Sequence, residues 1–259
     1  MLFLLSPAKS LDYETPTPPQ LAPALTDPQF LDDSSALIEL LRTRSVADIR
    51  ALMDLSEPLA QLNVDRYAAW QRRFTPQNSK PAVLAFNGDV YDGLAATSLS
   101  DDDLAWAQQH VRMLSGLYGI LRPLDRMQPY RLEMGTRLKN PAGSNLYDFW
   151  GDRLVDHLNR LVKGEKAPVI VNLASQEYFR AVDRKSLQAR VVECQFEDWK
   201  NGQFKIISFF AKRARGLMAR FAIQHRIETP EGLKAFDVDG YRLAPEVSTP
   251  ERLLFRRQT

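Results

Sequence analysis

Ser6 and Lys9 stand three positions apart in Ser6-Pro7-Ala8-Lys9-Ser10, directly after an apolar run. A hydroxyl and an amine at that spacing make either a nucleophile with its base or a pair of phosphate contacts. With no second signature beside them, we assign Lys9 as an anion contact. Asn87-Gly88-Asp89-Val90-Tyr91-Asp92-Gly93 offers Asp89 and Asp92 after a second apolar run. Two carboxylates there suit either a hydrated Mg²⁺ or an ordinary Gly/Asp turn. Glu177, in Asn172-Leu173-Ala174-Ser175-Gln176-Glu177-Tyr178-Phe179, reads either as a base or as a helix-capping acid. His110, His157 and His225 show no ligand spacing, and the phosphate, dinucleotide and zinc motifs are all missing. No catalytic residue, metal ligand or cofactor is therefore assigned.

Cations carry the stronger signal. Residues 1–103 hold 8 Lys+Arg against 15 Asp+Glu, a balance of −7, whereas residues 104–259 hold 26 against 17, a balance of +9. Such asymmetry between halves points to a polyanionic partner. On a helix from about Ala211 to Arg226, Lys212, Arg213, Arg215, Arg220 and Arg226 share one arc, opposite Phe210, Ala214, Leu217, Met218 and Phe221. Gly216 falls in the middle of the basic arc. A missing side chain there would let a phosphate backbone approach, which offsets the roughly 1 kcal/mol that glycine costs inside a helix. No acid occurs between Asp198 and Glu228. The arc is therefore either a phosphate-binding face or a solvated face whose arginines pair elsewhere.

A second basic region surrounds Ser115-Gly116-Leu117-Tyr118-Gly119, where two glycines close a helical pattern. Such a turn either caps a helix or turns its N–H groups toward a phosphate, as in a helix-hairpin-helix element. The usual hairpin has its glycines two apart, and these are three apart. Arg112, Arg122, Arg126, Arg131, Arg137 and Lys139 lie nearby and have only Asp125 and Glu133 as local acids.

The elements that must position these groups follow from periodicity and turn chemistry. Leu2 to Leu5 reads as a buried strand. The segment with Pro16, Pro18, Pro19, Pro23 and Pro28 reads as an extended surface stretch. Asp33 to Phe74 turns helical, with Ser45 and Ser56 at helix starts. Ala82 to Phe86 reads as a strand. Ser100 caps a helix with Leu104, Ala107, Val111, Leu114 and Leu117 on one face. Pro168 to Leu173 is another strand. Arg190 to Trp199 and Gln203 to Phe209 alternate around Lys200-Asn201-Gly202, a hairpin signal. The tail after Leu243 reads as short and polar. These elements predict a mixed β-sheet flanked by helices, in the α/β (α+β) class.

The 259 residues are 44% hydrophobic and 25% charged, which suits a globular chain with a real core. We expect a single domain over residues 1–259. No apolar run reaches about 18 residues, so no membrane span is expected. The N-terminus lacks a basic n-region. Cys194 is the single cysteine, which excludes an intrachain disulfide and fits a reducing cytoplasm. Its alternating surroundings mark it as a packed thiol.

Taken together, Leu5-Ser6-Pro7-Ala8-Lys9-Ser10-Leu11-Asp12, Gly88-Asp89-Val90-Tyr91, Arg112 to Asp125, Gln128 to Gly135, Asn172 to Phe179 and Ser208 to Met218 resemble the YaaA-type peroxide-stress family. The match runs in order along nearly the whole chain. The resemblance implies an unusual family-specific mixed α/β fold and a role in hydrogen peroxide stress that limits damage driven by intracellular free iron. It also implies DNA binding by a basic cleft with a helix-hairpin-helix element. Asn87 stands where the family usually has lysine, Phe210 where it has tyrosine, and Arg213 where lysine is frequent.

Two functional expectations follow. The first is largely sequence-independent DNA binding through phosphates by Lys9, Arg112, Gly116, Gly119, Arg122, Arg131, Lys212, Arg213, Arg215 and Arg220, with no required protein partner. The second is an enzyme acting on a nucleic acid or phosphorylated substrate where Ser6, Lys9, Asp89 and Glu177 converge. Direct iron binding is disfavoured, because no His/carboxylate triad spacing occurs.

Overall fold

Hydrophobicity places the first strand at the centre of the molecule. In the computed structural model, which describes residues 1–183 and 185–258, all four residues of β1 (Leu2–Leu5) are buried. The short β2 (Ser10–Leu11) follows, then α1 (Leu31–Arg42), α2 (Val46–Met53) and α3 (Glu57–Ala69). Ser45 starts α2 with a reciprocal capping box to Asp48. Next come β3 (Lys80–Pro81), α4 (Ala82–Ala85), β4 (Phe86–Asn87), α5 (Asp89–Leu94) and α6 (Asp101–His110). Ser100 and Asp103 cap α6 in the same reciprocal way. The central block supplies β5 (Val111–Ser115), β6 (Gly119–Leu121) and β7 (Arg126–Met127). Then follow α7 (Leu146–Trp150), α8 (Arg153–Leu161), β8 (Val169–Leu173), α9 (Gln176–Phe179), β9 (Arg190–Lys200) and β10 (Gln203–Lys205). The chain ends with α10 (Ser208–Gln224), α11 (Pro230–Leu233), β11 (Arg242–Leu243) and β12 (Arg252–Arg257).

The main sheet is mixed and has eight strands, in the order β11-β12-β9-β8-β1-β5-β6, with β10 on β9. Its centre is parallel: β12 with β9, β9 with β8, β8 with β1, and β1 with β5. Antiparallel hairpins form its margins. From β1 the chain crosses to β5 on one side, and later places β8 on the other. The order therefore reverses at β1, and the carboxyl ends of β1, β5 and β8 flank that switch point, where α/β sheets seat ligands. The expected mixed sheet flanked by helices is thus present.

Several local expectations change. Ala82 to Ala85 is one helical turn, because the Ala82 and Val83 N–H groups donate to the Asp125 and Pro123 carbonyls instead of to a strand. The helix after Ser100 stops at His110. Leu104 and Ala107 are buried on that helix, but Val111 to Met113 pair with Phe3 to Leu5, so Val111 and Leu114 lie in a strand and Leu117 in the turn after it. The glycine turn then joins two antiparallel strands, β5 and β6. It is a β-hairpin and not a helix-hairpin-helix element. The proline-rich segment includes a 3-10 helix, Pro19–Ala24, that buries Leu21. The tail is not merely polar: Leu253, Leu254 and Phe255 are buried in β12. The Asn201-Gly202 hairpin is as expected, with φ of 55° and 80°, although its second strand ends at Lys205.

Helix α10 crosses α5 at unusually short range. A Cβ on Gly93 would overlap the Arg213 carbonyl, and one on Gly216 would overlap the Val90 carbonyl. Gly216 is buried in this crossing. The glycine placed in the basic arc therefore admits a neighbouring helix and not a phosphate.

Candidate functional site

The loops that leave β1 and β8 lock together at the switch point. The Ser175 N–H donates to Ser6 Oγ at 2.8 Å, and the two hydroxyls lie 3.3 Å apart. The Tyr91 hydroxyl donates to the Ser6 carbonyl at 3.0 Å. Lys9 Nζ pairs with Glu133 Oε2 at 2.9 Å, and Arg131 pairs with the other oxygen of that carboxylate at 3.1 Å. Glu177 Oε1 accepts the Gly135 N–H at 2.9 Å. The structure thus brings Lys9 and Glu177 onto the segment 131–135, and Ser6 onto Ser175. Asp89 instead opens α5, and among the described residues no hydrogen bond or ion pair ties it to Lys9 or Glu177.

Beyond Glu133 the chain makes a turn, closed by the Thr136 N–H on the Glu133 carbonyl at 3.0 Å, and burial alternates along it. Met134, Thr136 and Leu138 point inward, while Gly135, Arg137 and Lys139 point out. Both cations line an open cleft of about 1180 Å³. The far wall is a loop folded on Asn140, whose amide donates to the Leu138 and Asn145 carbonyls and whose oxygen accepts from Ala142 and Gly143. Arg180, just past α9, lies across the cleft with its guanidinium 4.6 Å from the Tyr147 ring centre. Asp148 is the cleft's carboxylate, and it is taken up by the Ser144 N–H and the Asn145 amide. Among the described residues none of Arg137, Lys139 and Arg180 joins an ion pair. A neighbouring cavity of about 560 Å³, lined by Asp54, Glu133 and Glu177, shares Gly135 and Arg137 with the cleft. One half of this continuous surface is therefore acidic and the other basic.

The expected phosphate contacts divide sharply. Arg112 is 4% exposed. Its Nη1 donates to the Gln108 and Val111 carbonyls, and burial pushes its guanidinium down to about 10. Gly116 packs on the Leu132 carbonyl, and Gly119, at φ +67°, packs on Trp150 and Leu154. Arg122 is spent on Asp125, at 2.9 Å, and Arg131 on Glu133. On α10, Arg220 donates to the Leu94 and Ala95 carbonyls at 3.0 Å each, which closes the C-terminal end of α5. Arg213 lies 3.9 Å from Asp239, and Arg226 lies 2.8 Å from Asp103. Burial lowers the Arg215 guanidinium below its ordinary value. Lys9, Lys212 and Arg213 remain exposed. Arg112, Gly116, Gly119 and Arg220 are framework, because their polar atoms or Cα faces are already covered by protein.

The period-two pattern Met134-Gly135-Thr136-Arg137-Leu138-Lys139 held the signal for the cleft's inner rim. Nothing local marks Arg180, which arrives from beyond β8. Among the described residues no group of three His, Cys, Asp or Glu side chains is arranged to hold a metal ion. Cys194 is buried, and burial pushes its thiol well above the ordinary range. No helix of the described chain is long and apolar enough to cross a membrane.

A family model described as peroxide stress protein YaaA matches residues 1–247. Similar curated proteins extend along the whole chain. A UPF0246 protein of Paracidovorax citrulli is 61% identical over 258 residues, covering all of this chain and 99% of its own. One from Bordetella petrii is 60% identical and covered in full on both sides. One from Verminephrobacter eiseniae is 63% identical over 259 residues, with 99% of its own length covered.

Proposed function

The chain belongs to the family of peroxide stress protein YaaA, and from that premise we propose that it protects against peroxide by binding DNA through phosphates in the Arg137/Lys139/Arg180 cleft. Held there, DNA is shielded from the oxidation that intracellular free iron drives. The observation that carries this reading is that these three cations line one open cleft and join no ion pair among the described residues, whereas Arg122 and Arg131 are neutralised by Asp125 and Glu133. A desolvated or unpaired cation row is what a phosphate backbone replaces counter-ions with, and such contacts give affinity without reading sequence. Lys9 adds a fourth charge at the acidic margin, where Glu133 already partners it.

The test is a duplex-DNA titration at two salt concentrations with two variants: R137A/K139A/R180A, and K212A/R213A/R215A. Each phosphate contact removed lowers the salt slope by about one. The cleft variant is expected to lose most binding and about three units of slope, and the α10 variant much less. Unchanged affinity in the cleft variant would sink the proposal.

A second reading, an enzyme acting on a nucleic acid or phosphorylated substrate, draws on one observation. Ser6 and Ser175 meet at the switch point of the sheet, in the loops that also carry Lys9 and Glu177. Glu177 already serves the Gly135 N–H, and Lys9 already serves Glu133. Turnover of DNA or a phosphate ester that disappears in Glu177→Gln would favour this reading over simple binding.

A further inference from the structure

Among the described residues five large apolar side chains are well exposed, and three of them fall within eleven positions: Trp199 at 38%, Ile206 at 55% and Phe209 at 54%. They crown the β9–β10 hairpin and the first turn of α10. Strand β9 loses β8 as a neighbour after Glu193. Its tip therefore runs on for roughly 23 Å at ~3.3 Å per residue, past the carboxyl edge that holds the cleft.

The aromatic rings there form two pairs with the same construction. Phe204 lies directly across the ladder from Trp199, with ring centres 4.9 Å apart. The Arg256 guanidinium sits 4.5 Å from the centre of Phe204. Phe210 lies beside Phe209 at 4.0 Å, with the Arg257 guanidinium 4.6 Å from its centre. In each pair one ring is held by an arginine of β12 and the other is exposed; Arg256 and Arg257 are successive residues, so the two pairs flank the hairpin tip on opposite faces of the ladder. Arg256 and Arg257 are themselves fixed, by Glu197 at 3.0 Å and Asp198 at 2.7 Å. The outer rings are thus held on a rigid base, so stacking on them costs little ordering. Lys200, Lys205 and Lys212 neighbour them along the chain and join no ion pair among the described residues, whereas Arg213 lies 3.9 Å from Asp239.

We propose that this hairpin tip is a stacking platform for unpaired bases of single-stranded nucleic acid, with Trp199 and Phe209 as the stacking rings. The inference rests on the nucleic-acid reading above and deepens it, since it names the form of nucleic acid that this second surface takes. Flat π-faces beside lysines that no carboxylate holds among the described residues match a polyanion whose bases are free to leave their stack. A closed duplex hides those faces and offers only phosphates.

The experiment uses the full chain and a 15-nucleotide oligo(dT), read by tryptophan fluorescence and by anisotropy, beside a duplex of the same length. Oligo(dT) quenches the emission of Trp199, and Trp199→Phe removes the quenching while retaining affinity. Trp199→Ala/Phe209→Ala weakens oligo(dT) binding at least tenfold and changes duplex affinity less than twofold. Unchanged oligo(dT) affinity in that variant overturns the proposal. So does binding to phosphatidylglycerol vesicles, or self-association, that the double variant abolishes while oligo(dT) affinity stays intact; each assigns the patch to another occupant. If oligo(dT) binds through Trp199 but duplex binding ignores R137A/K139A/R180A, the cleft reading falls and the platform stands.

Discussion

Two clusters of arginine in one stretch of chain meet opposite fates. Around Asp125 the charges are internal. Its buried carboxylate accepts from the Arg122 N–H at 2.7 Å, Arg122 Nε at 3.0 Å and the Thr26 hydroxyl at 2.6 Å. The Thr26 hydroxyl accepts in turn from Gln108, whose other end receives the Leu124 N–H. This chain of bonds pins the proline-rich segment to the sheet, with Arg112 beneath it. Around Arg137 the charges face water and, among the described residues, have no acid partner. Residue type is the same in both places, and the difference lies in what has been desolvated. The inner set holds the fold together, while only the outer set keeps its field for a ligand.

The largest effect expected from breaking the inner set comes from Asp125→Ala. Removing one partner of a buried pair leaves Arg122, and Arg112 near it, without compensation, a loss of about 3–5 kcal/mol. Urea denaturation measures it. A loss below ~1 kcal/mol would mean that the cluster is hydrated, and would blur the contrast with the cleft. Next comes Gly216→Ala, which forces a methyl into the Val90 carbonyl. Overpacking of this kind costs about 1–3 kcal/mol and lowers the melting temperature. An unchanged melting temperature with weakened DNA binding would instead return Gly216 to the ligand face.

A smaller effect depends on pH. Burial, together with Arg112, Arg160 and Arg122, pushes His157 down to about 4, and its ring lies edge-on to Phe30 at 5.4 Å. In the unfolded chain the imidazole titrates at its ordinary 6.5. Between these values the unfolded state binds more protons, so stability falls as pH drops from about 6.5 to about 4. With the ring half-buried, we discount the shift to a loss of about 1–2 kcal/mol. Asp12 acts in a lower window. Hydrogen bonds from Thr15, with Lys80 nearby, hold its carboxyl down to about 2, so its contribution is lost as pH falls from 3.8 through about 2. His157→Gln flattens the upper slope only. A slope unchanged by that substitution would show that the inner arginines do not repel the imidazolium.

The sheet's centre was legible in the sequence because β1, β8 and the Asn201-Gly202 hairpin combine local propensity with short apolar runs. The central block was not, since Val111, Leu114 and Leu117 fit a helix face as well as a strand, and only pairing with β1 decides between them. Counting nearby acids failed at Arg126 and on α10 for a related reason. Asp27, Asp239 and Asp103 pair with these arginines from distant positions in the chain. Arg137 and Lys139 were visible beside the glycine turn, but their freedom became clear only once Asp148 was seen to be occupied by its own loop.

The smallest stability effect is the sharpest test of the contrast. Arg137→Ala/Lys139→Ala removes two exposed cations that no carboxylate holds, so unfolding free energy should shift by less than about 0.5 kcal/mol. Relief of repulsion between the two charges makes even a slight gain reasonable in sign. The same variant should lose the stabilisation that duplex DNA confers on the parent protein, which at a hundredfold excess over Kd amounts to about 2.7 kcal/mol. Melting curves with and without duplex therefore separate framework from function in one series. Loss of intrinsic stability in the variant would place Arg137 and Lys139 with Arg122, as part of the fold. An unchanged DNA-induced shift would move the ligand to another face.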